Sequence, residues 1–272
     1  MLLNPNLRTD IVINLTDWKT GDILPCLKRQ KECFENARLA IGSYLCGNYF
    51  RKLCCTFNIA ELPVSYDLVI PIIAQHDLTI LEDTRTQTMI RQACHIVVND
   101  PGMLMRFGGD MDVRLGRLFF RTYRDHRYPA YEGSMVKREK MLALIKALRE
   151  IGCKFNAVEC EIIGEVSELK PDEGEVYYYH CPLRLISAMR ICEYASFGKP
   201  VTQKFLPDDQ CQFQCIQSCV KYSDNKFQNE YLKWGRGLYD RVSVPSFEGL
   251  NLIVMPDAFE EIPDENYGTA VL

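Results

Sequence analysis

The sequence predicts an α/β fold, most simply a (β/α) barrel, and two observations carry that expectation. Short, near-continuously apolar runs rich in Val and Ile recur through the first half of the chain, and segments of helical character separate them. Runs of this kind suit parallel strands buried on both faces. Repeated β-then-α units build either a barrel or a doubly wound sheet. In order, strands are expected at Ile11 to Leu15, Arg38 to Leu45, Tyr66 to Ile73, His95 to Asn99 and Val113 to Phe120, with helices over Asp22 to Ala37, Glu82 to Cys94 and Ser134 to Ile151. The last helix has the clearest signals. Ser134 stands at its N-cap, Met141, Ile145, Leu148 and Ile151 recur at helical spacing, and Gly152 follows its end. A further strand, Ala157 to Ile163, places Glu159 and Glu161 on one face and Val158, Cys160 and Ile162 on the other.

From Gly164 the rhythm breaks. A polar loop runs through Lys170, Pro171, Asp172, Glu173 and Gly174, an aromatic strand reopens at Tyr177, Tyr178 and Tyr179, and RVSV (Arg241 to Val244) and LNLIVM (Leu250 to Met255) have the composition of late strands. Residues 1–256 are expected to form a single barrel domain, and 257–272, with five acidic residues, an acidic extension.

Composition bounds the function. The chain has 272 residues, 47% hydrophobic and 25% charged, which excludes disordered, collagen-like and coiled-coil classes. A formal charge of −4 gives no overall attraction to phosphate and argues against nucleic acid as a partner. No run approaches about 18 uninterrupted apolar residues, so no membrane span is expected. The start, MLLNPNLRTD, lacks a basic-then-apolar signal pattern, and the expected location is cytoplasmic. Cysteine is over-represented, at 13 residues, an odd number. In a reducing compartment a surplus points to metal, cluster or redox chemistry more than to disulfides, although any single Cys can simply be a small buried apolar residue.

The densest cluster is DDQCQFQCIQSCVKY, where Cys211, Cys215 and Cys219 follow at C-x3-C-x3-C spacing, with Cys192 upstream in MRIC. Steps of four put the sulfurs on one helical face or bend them around a metal in a loop. Four thiolates suit an iron–sulfur cluster or zinc, and spacing alone does not choose. The pattern misses the C-x3-C-x2-C of radical-SAM enzymes by one residue.

Four stretches, taken in order, resemble the peptidase U32 family, and in particular its short, non-proteolytic iron–sulfur branch acting in oxygen-independent ubiquinone hydroxylation. They are AIGSYLCGNYFRK; VVNDPGMLMRF with VRLGRLFFRTYRDHRYP; AVECEIIG; and MRIC followed by FLPDDQCQFQC. They span residues 41–219, about two-thirds of the chain, and their order is more specific than any one of them. The longer Glu/Gly/Cys signature of the family's peptidase and RNA-modifying members is absent. The resemblance implies a [4Fe-4S] cluster on Cys46, Cys192, Cys211 and Cys215, with Cys219 as an alternate ligand, zinc being the other metal to consider. It also implies a (β/α) barrel, complete or short of a strand, whose Cys-bearing C-terminal segment lies over the catalytic mouth, where barrel active sites are built.

Around that mouth, Asn99 and Asp100 close a strand before Pro101 and Gly102, where they could bind substrate or simply form a turn, and Glu159 lies on a strand face. Arg114, Arg117, Arg121, Arg124 and Arg127 form a basic stretch. In it Arg117 and Arg121 could hold an anionic group by bidentate bonds, the commoner role for such a stretch being a solvated face. His76 and Asp77 are adjacent and so point apart. There is no Ser/His/Asp order, and Gly108-Gly109 lacks the Lys-Ser/Thr of a phosphate loop. The resulting expectation is an iron–sulfur protein in an oxygen-independent hydroxylation or related modification of an organic substrate, working with a homologous or enzymatic partner subunit. The alternatives are a cluster-free or zinc-stabilised subunit that binds a small organic or peptide substrate, and, with less support, an RNA-modifying enzyme.

The two overlapping C-x3-C pairs make a test. With Cys211 and Cys215 as ligands, Cys211→Ser abolishes iron binding and Cys219→Ser keeps it. Iron and sulfide assays on the two variants check this, and an exchange of outcomes would assign Cys215 and Cys219 instead.

Overall fold

The computed structural model describes residues 10–17, 23, 37–62, 64–120, 134–162, 176–189, 192, 194–196, 198–203, 211–217, 220–224, 229–242 and 250–255. Eight parallel strands close into a barrel: β1 (Ile11–Asn14), β2 (Arg38–Gly42), β3 (Tyr66–Ile70), β4 (His95–Val98), β5 (Val113–Leu115), β6 (Ala157–Glu161), β7 (Tyr177–Cys181) and β12 (Asn251–Val254). Each pairs with its predecessor, and β12 closes the ring between β7 and β1. The barrel is therefore complete, and the doubly wound alternative falls. Between β7 and β12 the chain forms a separate antiparallel sheet of β8 (Leu183–Ala188), β9 (Val220–Asp224), β10 (Asn229–Trp234) and β11 (Gly237–Arg241), in the order β8-β11-β10-β9.

The helices are α1 (Gly47–Thr56) after β2, α2 (Thr84–Gln92) after β3, α3 (Pro101–Phe107) after β4, α4 (Ser134–Glu150) after β5, and the short α5 (Gln214–Gln217). Each of α1, α2 and α3 begins where a side chain accepts an orphan backbone N–H: Cys46, Asp83 and Asp100 respectively. Ile145 and Leu148 of α4 are buried, and the positive φ of Gly152 (86°) ends that helix as its position in the sequence implies. No helix among the described residues is long and apolar enough to cross a membrane. The helix expected over 22–37 falls, apart from Ile23 and Ala37, outside the described residues, as does the acidic extension.

Several strands end earlier than their apolar runs. VRLGRLFF is not one strand: β5 stops at Leu115 and a 3-10 turn, Arg117–Phe120, follows. Asn99 holds the chain at the break. Its side-chain oxygen accepts the Leu118 N–H (3.4 Å) while its amide donates to the Ile70 carbonyl (3.0 Å), so one side chain bridges the end of β3 and the turn after β5. Likewise β2 stops at Gly42.

Strand alternation divides the side chains into two sets. Outward residues such as Leu39, Ile41, Leu68, Ile70, Ile96 and Val98 meet the helices in the main core. Inward residues Val12, Ala40, Val69, Val97, Ala157, Tyr178 and Ile253 form a smaller interior cluster. These are mostly small, and they leave room for charge. Arg114, fully buried, lies 3.8 Å over the Tyr178 ring, with its guanidinium 3.1 Å from Asp67 and 3.5 Å from Glu159. Asp67 also meets His95 (2.8 Å) and Arg38 (3.5 Å), and Arg38 pairs with Asp10 (2.6 Å). Arg117 is equally buried and grips Glu161 through two donors, at 2.6 and 2.8 Å. The expectation of a solvated arginine face is thus corrected for Arg114 and Arg117. Their positions on and after an inward-alternating strand turn them into the barrel, where carboxylates from β3 and β6 compensate them.

Removing Arg114 takes from Asp67 and Glu159 the one buried cation they share. Arg114→Met is expected to cost about 3–5 kcal/mol, seen as a lowered urea midpoint at pH 7 with an unchanged slope.

Candidate metal centre

Four segments bring functional groups to the C-terminal end of the barrel strands. Asp17 follows β1 with a left-handed backbone (φ 61°), and its N–H bonds the Gly42 carbonyl (3.0 Å). Gly42, at φ 114°, leaves β2 so close to β3 that a methyl group there would overlap the Val69 carbonyl. Ser43 then acts as a hub. Its hydroxyl donates to Asp17 Oδ1 (2.5 Å) and accepts the N–H groups of Leu45 (3.1 Å) and Cys46 (2.8 Å). The tight turn that results places Cys46 at the N-cap of α1, where its Sγ accepts the Tyr49 N–H at 3.4 Å.

Three cysteines from separate segments come within electrostatic reach of one another here. The Cys192 and Cys215 side chains interact directly, which lowers the Cys192 thiol and drives the buried Cys215 thiol up. The Ala195 N–H, 3.4 Å from Cys192 Sγ, favours the same Cys192 thiolate. Burial, then the charge of Asp17, pushes the Cys46 thiol up to about 12, and both Cys192 and Cys215 lie within electrostatic reach of it. Asp17 itself is pushed up to about 7 by burial, against the pull of Ser43 and Arg236. Among the described residues no three His, Cys, Asp or Glu side chains are grouped to hold one metal ion. The donor set nonetheless suits a thiolate-ligated group: three cysteines, one with its thiol already favoured as thiolate, beside an arginine.

Of the other ligand candidates, Cys211 is half-buried in the same short segment as Cys215, and Cys219 lies outside the described residues. Asn99 is occupied by backbone groups, as described above. Asp100 caps α3 through Oδ1, which accepts the Met103 N–H at 3.0 Å. Glu159 is fully buried below the mouth, where Oε2 accepts from Tyr44 (2.8 Å) and His180 (3.2 Å). Arg117 is committed to Glu161 and to the Leu183 carbonyl (3.2 Å), and Arg121 lies outside the described residues.

Sequence reasoning passed over Asp17, Tyr44, His180 and Arg236. Strand alternation could have found His180, since it shares a face with Tyr178 and its strand neighbours the one bearing Glu159 and Glu161. Against the burial that would raise it, the His180 hydrogen bond, the charge of Arg114 and the Tyr44 hydrogen bond hold Glu159 below the usual carboxylate range. Burial, then the charge of Arg117, pushes His180 below its usual range, so the ring is neutral and donates from Nε2.

The fold and the site together define an α/β barrel with cysteines from three segments coupled at its mouth. The chain matches no family model, no curated protein and no solved structure.

His180 makes stability depend on pH. The unfolded chain takes up a proton there near 6.5 and the folded chain does not, so the contribution is complete above that value and is lost as pH falls below it, by up to about 1.4 kcal/mol per pH unit. Asp67 and Glu159, both lowered in the fold, add stability above the ordinary carboxylate range that is lost at more acid pH. Urea midpoints measured from pH 7.5 to 5 should therefore fall in the wild type and be flatter in His180→Gln.

Proposed function

We propose that Cys46, Cys192 and Cys215, with Cys211 as fourth ligand, hold a [4Fe-4S] cluster beneath a Cys-bearing segment that lies over the barrel mouth. In this reading the chain acts in, or as one subunit of, an oxygen-independent hydroxylation or related modification of an organic substrate. The observation that carries the reading is the convergence of three cysteine segments on one hairpin: the carbonyls of Leu45, Met189 and Cys215 each accept a hydrogen bond from Arg236 or Gly235. Cys192 and Cys215 are paired, while Cys46 couples to both through charge. The U32 resemblance implies the same four cysteines and supplies the class of reaction.

A cluster at this place supplies single electrons. The protein's own part is positional. Ser43 fixes the Cys46 backbone, and Asn99, Asp100 and Glu159 brace the strand ends and the Tyr44 loop from behind. A partner subunit would supply whatever substrate contacts this chain does not make itself.

Anaerobic reconstitution tests the reading. About four irons and four sulfides per chain are expected, with visible sulfur-to-iron absorbance. Each of Cys46→Ser, Cys192→Ser and Cys215→Ser should lose the iron, while Cys94→Ser and Cys153→Ser keep it. One zinc per chain, or no metal at all, would favour the zinc-stabilised or cluster-free binding subunit.

A further inference from the structure

The turn between β10 and β11 touches every cysteine segment of the site. Trp234 pairs with Gly237, leaving Gly235 and Arg236 as the tip of a two-residue hairpin. The Gly235 N–H donates to the Cys215 carbonyl (3.1 Å). The Arg236 side chain divides: Nη1 donates to the carbonyl of Leu45, the residue before Cys46, at 2.9 Å, and Nε donates to the carbonyl of Met189, three residues before Cys192, at 3.0 Å. The Arg236 carbonyl accepts the Met189 N–H in return (2.8 Å). Its charge also reaches Asp17, Cys46 and Cys192.

We propose that Arg236 is a positioning residue of the thiol site, gathering the Cys46 and Cys192 segments to the hairpin tip that also holds Cys215, and standing beside the thiols as their compensating cation. The gathering role stands on geometry alone, and the charge role rests on the cluster reading. A planar guanidinium suits the task because two donors on different edges reach two carbonyls on separate segments at once. An ammonium keeps the charge but lacks the fork. Near an anionic cluster a fixed cation favours the reduced, more negative state and so raises the potential.

Two measurements separate the roles. In the metal-free full-length chain, a short thiol-to-thiol reagent, dibromobimane, with peptide mapping, reports how closely Cys46 and Cys192 approach Cys215. Arg236→Gln should reduce these cross-links by about tenfold, the equivalent of one charge-assisted bond lost, with Arg236→Lys in between. Near-UV circular dichroism should show the barrel intact in both. In the reconstituted chain, Arg236→Gln should shift the cluster potential to a more negative value while Arg236→Lys stays near wild type. Wild-type cross-linking in Arg236→Gln overturns the gathering role, and an unmoved potential in that variant overturns the charge role. If the wild type takes up no iron, the cluster reading fails and the charge role with it, while the cross-linking arm still decides the gathering role.

Discussion

A single buried cation organises the inside of this barrel. Arg114 stands between Asp67 of β3 and Glu159 of β6, over the ring of Tyr178 of β7, with no water-facing surface. An ion in that position is tolerated only because two carboxylates share it, and each carboxylate takes further donors on the oxygen turned away from Arg114. Asp67 draws in His95 and Arg38; Glu159 draws in His180 and Tyr44. The small inward residues Ala40, Val69, Val97 and Ala157 follow from the same constraint, since a barrel of eight strands has room for a layer of this bulk only if its neighbours are slight. Buried ion networks are poor evidence for high stability, but they are intolerant of partial replacement. The chain that carries Arg114 must also carry its partners.

The second fork, Arg117 on Glu161, ties the barrel to the sheet inserted after β7. Glu161 accepts the Leu185 N–H (3.1 Å) and Arg117 donates to the Leu183 carbonyl, so one ion pair is hydrogen-bonded to the backbone of β8 from both of its members. Leu118, Leu183, Leu185, Tyr239 and Met255 seal the contact with apolar surface. The hairpin tip bearing Arg236 inherits its position from this joint, and the geometry of the cysteine segments depends in turn on it.

The parallel strands were legible because each is buried on both faces, which writes a continuous apolar run into the sequence. Their ends were not. Gly42 and Asn99 terminate strands through contacts with residues 27 to 29 positions away, Val69 and Ile70, and no local pattern announces such a contact. The antiparallel sheet was missed although YLKWGRGLY carries a hairpin signal, alternating residues on either side of a Gly-containing two-residue turn. Of the candidate site, the cysteines could be nominated from spacing and resemblance, whereas Asp17 and Arg236 could not. Their relevance arises from the side chains that folding brings beside them, and nothing in TDW or GRG signals that. The arginine stretch misled for a related reason: charge in a sequence suggests solvent, and only the strand register reveals that Arg114 turns inward.

Insertion of the antiparallel sheet before the final strand has a consequence for the order of assembly. The strand that completes the cylinder, β12, pairs with β1, and the two ends are fastened by a bond from the Asp10 N–H to the Asn251 side chain, 241 positions apart in sequence. Contacts of such long range form late, because the chain must lose loop entropy before they return any energy. Until then β1 and β7 each present an open ladder edge. On a ribosome, the segments bearing Cys192 and Cys215 have been synthesised before the last strand emerges, so the cylinder shuts on a chain that already contains them.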